Sequence, residues 1–563
     1  MSGSDLVIHA RKSPRSFASP PRPPQVDKIE NRTGLSNLRN YLLHNISRLY
    51  RLIRLTSPRT ARSSKRSRKD NRATYLDEPS EIPVSDVVEC SQSPHLLSSL
   101  IKYQAQKINI NDISTENLWE NENINNKSFK KLNNFYWFFS LDLKSSKNNA
   151  QKIISDWITK NQKYNSRSWE FDIISKRIIA WLSNHKLTID ESESHYLDLF
   201  NKMIQKQTNH LINEINNSKK IDDKMVGCAA IILVGLSYKD EKNYLSYGLN
   251  LLKKISNVAL DNYGFTKSRS IKQLVFYLKY LILLREWFKE AKVEVPDLIN
   301  ETIYLLGQGY AFIWKNINSD ILMNGNNKSN NDEFDQYLKR FSYNFKNENR
   351  EFGGYAILNN KKISIIMDIG SPPHTKFSSE YQSGSLSFEI ISNGKKLISN
   401  CGYYQGNNEE LVKLSKSTAA HNTLIIDDNS SCKFKKIKEK YFIKDSLRIQ
   451  KKNIIFEKNY WKLNASHDGY NKKYNAIHER EIEYFPEQFK FTGSDKILIK
   501  KSNSNIKFDI RFHLEPNVKL MKTQDNKAIL IELEDEGWKF TCENFNINID
   551  NGLYFGNKNS YTQ

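Results

Sequence analysis

The chain has 563 residues, enough for roughly two to four domains, and a formal net charge of +22 at pH 7. More than half of that charge lies at the start, because residues 1–72 contain 17 Lys and Arg against 4 Asp and Glu. The remainder is only mildly basic, which argues against a nucleic-acid-binding body. The longest apolar run, MVGCAAIILVGL at 225–236, is shorter than the ~18 apolar residues that a membrane span requires.

Residues 1–75 form a basic arm rich in Arg, Ser and Pro, a composition that predicts a largely disordered segment. Within it, residues 37–55 (NLRNYLLHNISRLYRLIRL) place apolar side chains at helical spacing beside arginines, which predicts an amphipathic helix. Such a helix would contact an anionic membrane surface, act as a targeting segment or cap the following domain, and these alternatives stay open. The arm lacks interleaved aromatic residues, so we do not expect nucleic-acid binding.

The sequence pattern of residues 95–320 predicts an α-helical domain. Segments such as DIISKRIIAWLSN (172–184) and IKQLVFYLKYLILLREWF (271–288) repeat apolar residues at the spacing of a helix face, with few strand signals between them. We therefore expect paired helices. The Asn-rich stretch ILMNGNNKSNNDEF follows at 321–334, and residues 321–340 are interpreted as a linker.

From residue 341 to 563 the apolar period shifts to about two, as in strands, for example in KKISIIMDIG (361–370) and AILIELE (528–534). The clearest hairpin is SLSFEIISNGKKLISNCG, where Asn393 and Gly394 fit a two-residue type I′ turn. That register would place Ser387 opposite Asn400. The pattern predicts a stack of antiparallel sheets, a β-sandwich.

The β half also carries an ordered set of motifs: DIGSPP (368–373), SGSLSFEI (383–390), NCGYY (400–404), STAAHNTL (417–424), HDGY (467–470), HERE (478–481), FDIRFHLEP (508–516) and GWKF (537–540). Their order resembles the heparinase II/III-like family. The resemblance implies an N-terminal (α/α) toroid-like helical domain followed by a C-terminal antiparallel β-sandwich domain. It also implies β-elimination at uronate linkages of an anionic polysaccharide. The alternative is a catalytically degenerate glycan-binding or cell-envelope protein on the same fold.

The resemblance further implies a metal-binding set and a catalytic histidine. In active relatives an HxH segment supplies both, and its two histidines fall on Glu380 and Gln382 in this sequence; the remaining metal ligands fall on Asn400 and His421. Because zinc prefers His, Cys and carboxylate ligands, we expect no cofactor here. We interpret Gln382, Asn400 and His421 as a neutral hydrogen-bonded set, with direct catalysis by His421 the second interpretation and a zinc ion the third.

A uronate lyase needs a group that neutralises the carboxylate, a base and an acid. The candidate base is His421 or His478, or Glu380 in place of the catalytic histidine, and the candidate acid is Tyr381 or Tyr470. In the helical half Arg269 and Lys272 stand near the positions of a catalytic acid residue and tyrosine, and Tyr263 or Tyr277 would substitute for that tyrosine.

Basic residues of both halves are candidates for binding the anionic substrate: Arg269, Lys272, His467, Arg480, Arg511 and His513. In FDIRFHL the polar side chains alternate with apolar ones and would share one face that can bind an acidic glycan, although for any single residue a solvated or ion-paired role is the favoured interpretation. Trp169 and Trp181 would line a sugar-stacking cleft or belong to the core.

The resemblance implies a location in the cell envelope or periplasm. The N-terminus, where SDLVIHA is followed at once by RKSPRS, lacks the pattern of an ordinary secretory signal, so a cytoplasmic location stays open. The expected partner is an anionic uronate-containing polysaccharide, with peripheral membrane contact through 37–55 as an addition. The sequence does not indicate the oligomeric state.

Overall fold

The computed structural model describes the backbone of Ser4–Lys12 and residues 118–119, 125–141 and 147–557, with short gaps at 219, 239–241, 318, 330–331, 500–505, 517, 526, 535, 543–544 and 546. The amphipathic helix predicted at 37–55 lies outside the described residues. Ser4–Lys12 is a β-strand, so this part of the basic arm is ordered where the sequence predicted a largely disordered segment.

The first half of the described chain is helical, as the periodicity predicted. Its α-helices are α1 (Asn126–Asn133), α2 (Lys147–Lys160), α3 (Phe171–Ser183), α4 (His185–Thr188), α5 (Ser194–Glu214), α6 (Ile221–Ser237), α7 (Lys242–Ala259), α8 (Ile271–Glu290), α9 (Asp297–Tyr310) and α10 (Asp332–Arg340). A 3₁₀ turn at Tyr136–Ser140 follows α1, and a π-helical turn at Ala311–Lys315 extends α9. None of these helices combines the length and the apolar character that a bilayer span requires.

Helix α6 lies at the centre of this half because its sequence is apolar on every side. It contacts α3, α7 and α8, and Met225–Val234 are all buried. The tryptophans belong to the same core: Trp169 and Trp181 are at most 1% exposed. Arg177 stacks its guanidinium 3.8 Å from the ring centre of Trp157 and donates to Gln207, 2.7 Å away. The tryptophans therefore do not line a sugar-stacking cleft.

The second half consists of antiparallel sheets. Counting Ser4–Lys12 as β1, its strands are β2 (Glu351–Phe352), β3 (Tyr355–Asn359), β4 (Ile363–Asp368), β5 (Phe388–Ser392), β6 (Lys395–Ile398), β7 (Leu424–Ile426), β8 (Lys433–Ile437), β9 (Lys440–Asp445), β10 (Ile449–Phe456), β11 (Trp461–His467), β12 (Ala476–Phe485), β13 (Lys490–Ile499), β14 (Phe508–Ile510), β15 (Lys519–Lys522), β16 (Ala528–Leu533) and β17 (Glu536–Cys542). Two short helices interrupt them, α11 (Glu409–Lys416) and α12 (Asn471–Tyr474).

Two large sheets pack face to face as the predicted β-sandwich. One has the strand order β2-β3-β4-β5-β6, and the other has the order β10-β11-β12-β13-β1-β17-β16-β15. Their facing side chains form one apolar core that includes Ile365, Ile390, Leu463, Phe491 and Trp538. The N-terminal strand β1 lies between β13 and β17, so the start of the chain completes a sheet of the C-terminal half.

The predicted Asn393–Gly394 turn is confirmed, since the φ angles of the two residues are 46° and 80° and Ser392 pairs with Lys395. The expected pairing of Ser387 with Asn400 is wrong. Ile391 pairs with Lys396 but Ile390 pairs with Ile398, so Leu397 is an extra residue in β6. This bulge shifts the register by one residue before the position of Asn400.

The segment predicted as a linker is packed between the halves. Asn324 is buried and donates to the Tyr355 hydroxyl at 2.6 Å and to Asp368 Oδ2 at 3.0 Å. Asn327 donates to the carbonyls of Tyr403 and Phe555. The asparagines that suggested a solvated connection instead satisfy buried polar groups of the β half.

A buried ion pair joins the two halves directly. Arg269, from the loop before α8, donates to Asp368 Oδ1 at 2.8 Å, and the side chains are 8% and 1% exposed. Its guanidinium also donates to the carbonyls of Gly353, Gly354 and Gly370. Gly370 has to be glycine because a Cβ would lie 2.5 Å from the guanidinium carbon.

We predict that Asp368→Asn lowers the free energy of unfolding by about 3–5 kcal/mol, because Arg269 would keep a buried charge without its counterion. Urea unfolding monitored by tryptophan fluorescence measures the change. Glu532→Gln, which breaks the exposed pair with Lys519, serves as the control and should cost less than about 1 kcal/mol. Equal losses for the two variants would contradict a dominant role for the buried pair.

Candidate functional site

His421 lies shortly before β7, and its ring packs against Gly384. It directly follows a 3₁₀ turn at Thr418–Ala420, and it is 1% exposed. Neither ring nitrogen has a hydrogen-bond partner within the described part of the chain. Burial, together with nearby His513, lowers the pKa of His421 to about 3, so the ring is neutral at physiological pH.

Gln382 and Asn400 bind other groups. Gln382 accepts from the Gly325 amide at 3.0 Å and donates to the carbonyls of Gly402 and Ser415. The Asn400 oxygen accepts from the Asn422 amide, and its own backbone amide donates to Glu389. The three side chains are all buried, but among the described residues no hydrogen bond joins either amide side chain to the His421 ring.

This arrangement does not fit the metal that the resemblance implies. The Gln382 amide is committed to three backbone groups, and Asn400 is held by Asn422 and Glu389. Within the described ranges, no group of three or more His, Cys, Asp or Glu side chains is placed to hold a metal ion. His421 remains as a single imidazole donor, which is too few for a zinc site.

A second histidine cluster is buried in the eight-stranded sheet. His478 Nδ1 lies 3.2 Å from His467 Nε2, and His478 Nε2 lies 2.6 Å from Asp495 Oδ1. Arg480 binds both oxygens of Asp495 at 2.8 Å. Burial lowers the pKa of both histidines, with Asp495 opposing the shift at His478. His467, His478 and Arg480, all at most 1% exposed, are therefore satisfied inside the sandwich and do not face solvent.

The two tyrosines chosen as candidate acids are also buried. The Tyr381 hydroxyl lies 3.2 Å from Ser385 Oγ, and the Tyr470 hydroxyl donates to the Leu424 carbonyl at 2.9 Å. Each side chain is 1% exposed. Arg269, the candidate for substrate binding in the helical half, is likewise occupied by Asp368. The structure therefore gives each of these side chains a partner within the protein.

Glu380 has a different environment. Its side chain is partly exposed and lies over the segment that connects the halves: a Cβ added at Gly325 would be 2.8 Å from Glu380 Cβ and 3.3 Å from Oε2. The Glu380 charge acts on groups of both halves. Burial is the largest cause of the raised pKa values of Asp222 and Tyr403, and the Glu380 charge raises both further. The pKa of Tyr277 is raised by burial, then by Asp222, and also by Glu380.

Helices α6 and α8 supply the opposite wall. Asp222, in the first turn of α6, accepts at Oδ1 from the Tyr277 hydroxyl at 2.8 Å and from Gln273 Nε2 at 2.6 Å. Gln273 and Tyr277 are four residues apart, so they lie on one face of α8. Ser270 caps α8 by accepting from the Gln273 amide, which fixes where this face begins.

Three lysines surround these carboxylates. Lys272 is exposed, and its ammonium lies 3.2 Å from Gln405 Oε1 across the contact between the halves. Lys440 is exposed and exerts its charge on Asp222. Lys416 is 1% exposed and donates to the Tyr381 carbonyl at 2.6 Å. Burial lowers the pKa of Lys416 to about 7, with Glu380 opposing the shift.

We call the set Asp222, Tyr277, Glu380, Tyr403, Lys272, Lys416 and Lys440 the interdomain cluster. Of the predicted site residues, the structure places Glu380 and Lys272 in it. Arg511 lies outside the cluster and is 40% exposed, with Asp509 3.5 Å away. His513 donates from Nε2 to the Ala419 carbonyl at 2.9 Å, and burial lowers its pKa to about 4.

Comparison with solved structures finds the same architecture. A heparinase III gene product superposes with a TM-score of 0.63 at 15% identity, covering 83% of this chain and 84% of that chain. A mutant of the heparan sulfate lyase HepC from Pedobacter heparinus gives a TM-score of 0.63 at 12% identity, covering 84% and 82%. At these identities the likeness establishes the fold, an (α/α) toroid-like domain followed by a β-sandwich, and confirms the predicted fold class.

No curated protein sequence matches the chain. Residues 350–563 match the family model described as heparinase II/III-like, C-terminal. Residues 350–563 of the chain therefore form a heparinase II/III-like C-terminal domain. This confirms the resemblance drawn from the ordered motifs, and the heparinase II/III-like fold relates the chain to polysaccharide lyases.

Sequence reasoning missed several members of the interdomain cluster. Asp222 precedes the apolar run of α6 and belongs to no motif. Tyr403 lies in a loop and Lys416 lies at the end of the short helix α11. Their approach to Glu380 depends on the heparinase II/III-like fold. Tyr277 was named only as a substitute for a missing tyrosine. The available signal was an acidic residue in the first turn of an otherwise apolar helix, and that signal alone indicates no more than a helix start.

We predict that Lys416→Met stabilises the protein relative to wild type more at low than at high pH. The unfolded-state pKa of lysine exceeds the folded value of about 7, so the cost of burying the charge is full below pH ~7 and fades as the pH approaches ~10. The difference should fall by about 3 kcal/mol between about pH 6.5 and about pH 9.5. Urea unfolding at both pH values measures it. The exposed Lys289→Met is the control, and a parallel pH dependence in both variants would contradict the prediction.

Proposed function

We propose that the protein is a polysaccharide lyase that cleaves uronate linkages of an anionic polysaccharide by β-elimination. The observation that carries the proposal is the interdomain cluster. The partly exposed Glu380 of the β half lies against Gly325, and its charge acts on Asp222 of the helical half and on Tyr403. The exposed Lys272 lies at the contact between the halves, and the charge of the exposed Lys440 acts on Asp222. Base, hydroxyl donor and cations are the three kinds of group that the reaction needs.

In the proposed step, Glu380 removes the proton on the carbon next to the uronate carboxylate. The electron pair of that C–H bond forms a carbon–carbon double bond, and the adjacent bond to the glycosidic oxygen breaks. Tyr403 donates a proton to the leaving oxygen, because burial raises the pKa of its phenol and keeps it protonated at neutral pH. Lys272 and Lys440 are exposed and would neutralise the substrate carboxylate.

The second candidate function is glycan binding without elimination. Its support is that Tyr381, Tyr470 and His478 are buried and bonded within the protein, and that Arg269 and Lys272 stand near the family's catalytic acid and tyrosine positions. On this proposal the lysines of the cluster bind an acidic glycan that is not cleaved. The family relationship supports both functions, and the reaction product separates them.

We predict that one or more members of a panel of uronate polysaccharides gain near-ultraviolet absorbance on incubation with the protein, because elimination leaves a double bond conjugated with the carboxylate. Glu380→Gln should lower kcat by about 100-fold or more, the usual contribution of a general base. Lys289→Gln, a surface change at the far end of α8, is the control. Chains that shorten without new absorbance, or that bind without shortening, would contradict elimination.

We also predict that Gly325→Ala lowers kcat, since its methyl group would displace the Glu380 side chain. Gly394→Ala is the matched control. Both glycines have positive φ, 84° and 80°, but nothing lies within 4 Å of a Cβ at position 394. The two variants share the backbone strain, and unfolding experiments should show an additional loss for Gly325→Ala from the steric conflict with Glu380. Measured on folded protein, only Gly325→Ala should lose activity. Equal activities would argue against Glu380 as the base.

We propose that the protein meets its polysaccharide in the cell envelope or periplasm, which is the compartment that the family relationship favours. Fractionation of cells followed by detection of the protein in each fraction tests this. Recovery of the intact protein only with cytoplasmic markers would contradict it.

A further inference from the structure

The hairpin of β8 and β9 is separate from both large sheets and is strongly basic. It forms its own two-stranded sheet, and Lys433–Asp445 (KFKKIKEKYFIKD) contains six lysines against one Glu and one Asp. Neither the proposed elimination nor the sandwich core accounts for this concentration of charge. The hairpin is therefore a candidate for an interaction surface.

The two faces of the hairpin differ. On the inner face, Tyr441 and Ile443 are buried, and Ile443 packs with Tyr381, Cys432 and Leu447. Lys436 on the same face is paired with Glu409. On the outer face, Lys435 lies opposite Phe442, and Ile437 lies opposite Lys440. The outer face thus presents cations beside exposed or half-buried apolar side chains.

Three lysines of the outer face and turn form no ion pair within the described residues. Lys435, Lys438 and Lys440 are exposed, and none forms an ion pair with a described carboxylate. Glu439, also exposed, is the one acidic side chain between Lys433 and Lys444. Like charges held together on a short hairpin repel one another, and a polyanionic partner would relieve that repulsion.

The hairpin is also attached to the interdomain cluster. The Ile443 amide donates to Ser378 Oγ at 2.9 Å, two residues before Glu380. Lys440, at the start of β9, acts electrostatically on Asp222 and on Lys416. Lys440 therefore belongs to both the cluster and the hairpin, and the other outer-face residues, Lys435, Ile437 and Phe442, continue from it along the two strands.

We propose that the outer face of the β8–β9 hairpin is an extended binding site for the anionic polysaccharide, adjoining the interdomain cluster. Lys435, Lys438 and Lys440 contact carboxylate or sulfate groups, and Phe442 packs against the apolar face of a sugar ring. We assign an acidic glycan as the occupant because Lys440 joins this surface to the interdomain cluster, where the proposed polysaccharide substrate binds. The inference rests on the proposed function for the direction in which the polysaccharide runs. Binding measurements alone test the surface itself.

The test uses the full chain and the triple variant Lys435→Gln/Lys438→Gln/Phe442→Ala, which leaves the inner face and Lys440 unchanged. The probes are fluorescently labelled heparan sulfate and hyaluronan, each as long chains and as tetrasaccharides, with anisotropy measured at several salt concentrations. We expect the Kd for long chains of the bound polysaccharide to rise at least about tenfold and the salt dependence to weaken, because two cationic contacts are lost. The Kd for tetrasaccharides, which fill only the cluster, should stay within about twofold.

The control is Lys289→Gln/Lys292→Gln, which removes the same charge. Lys289 lies 17 residues after Lys272 on α8, about 25 Å along the helix. This variant should keep the wild-type Kd, and unfolding experiments should show that all variants are folded.

The outcomes separate this inference from the elimination proposal. If the wild type does not produce unsaturated product but the triple variant loses long-chain binding, elimination fails and the binding surface stands. If the wild type cleaves and the triple variant binds and cleaves long chains as the wild type does, elimination stands and the surface is refuted. Failure of the wild type to bind either polysaccharide, or tighter binding to a single-stranded oligonucleotide or to phosphatidylserine vesicles, also overturns the inference.

Discussion

The buried guanidinium of Arg269 connects the helical half to the β-sandwich, and the position of the candidate site depends on that connection. Arg269 projects from the loop before α8 into a ring of acceptors formed by Asp368 and the carbonyls around Gly354 and Gly370. Although burial by itself lowers an arginine pKa, Asp368 raises the pKa of Arg269 above its ordinary value. A buried charge without its counterion is strongly destabilising, so the ion pair fixes the position of α8 relative to the sandwich.

This fixed geometry brings Glu380 to Asp222 and Tyr277. Asp368 also accepts from Asn324, and the following Gly325 contacts Glu380 and donates to Gln382. The segment Asn324–Gly325 therefore contacts both the ion pair and the candidate base Glu380. Glu380 comes from the β half and its neighbours come from α6 and α8, so neither half contains the cluster alone.

Two of the positions that resemble a metal-binding set, Gln382 and Asn400, stabilise the fold through hydrogen bonds. Gln382 binds three backbone groups, and Asn400 joins Asn422 to the buried Glu389. Glu389 is itself neutralised by Lys396 at 2.8 Å. Amide side chains suit this role because they donate and accept at once. Each of the two amides is hydrogen-bonded to other groups, whereas neither nitrogen of the His421 ring has a hydrogen-bond partner among the described residues.

The helical first half, the antiparallel second half, the type I′ turn at Asn393–Gly394 and the resemblance to the heparinase II/III-like family could all be predicted from the sequence. These follow from local chemistry and from motif order, because apolar period and turn residues act over a few positions. The role of Glu380 stays a prediction. Tertiary structure alone decided which polar residues are accessible. His478 and Arg480 have the chemistry of binding residues but are buried against Asp495 of the neighbouring strand, and Arg269 is buried against Asp368 of the other half. Burial depends on how the two sheets and the two halves pack together, and no local sequence pattern encodes that packing.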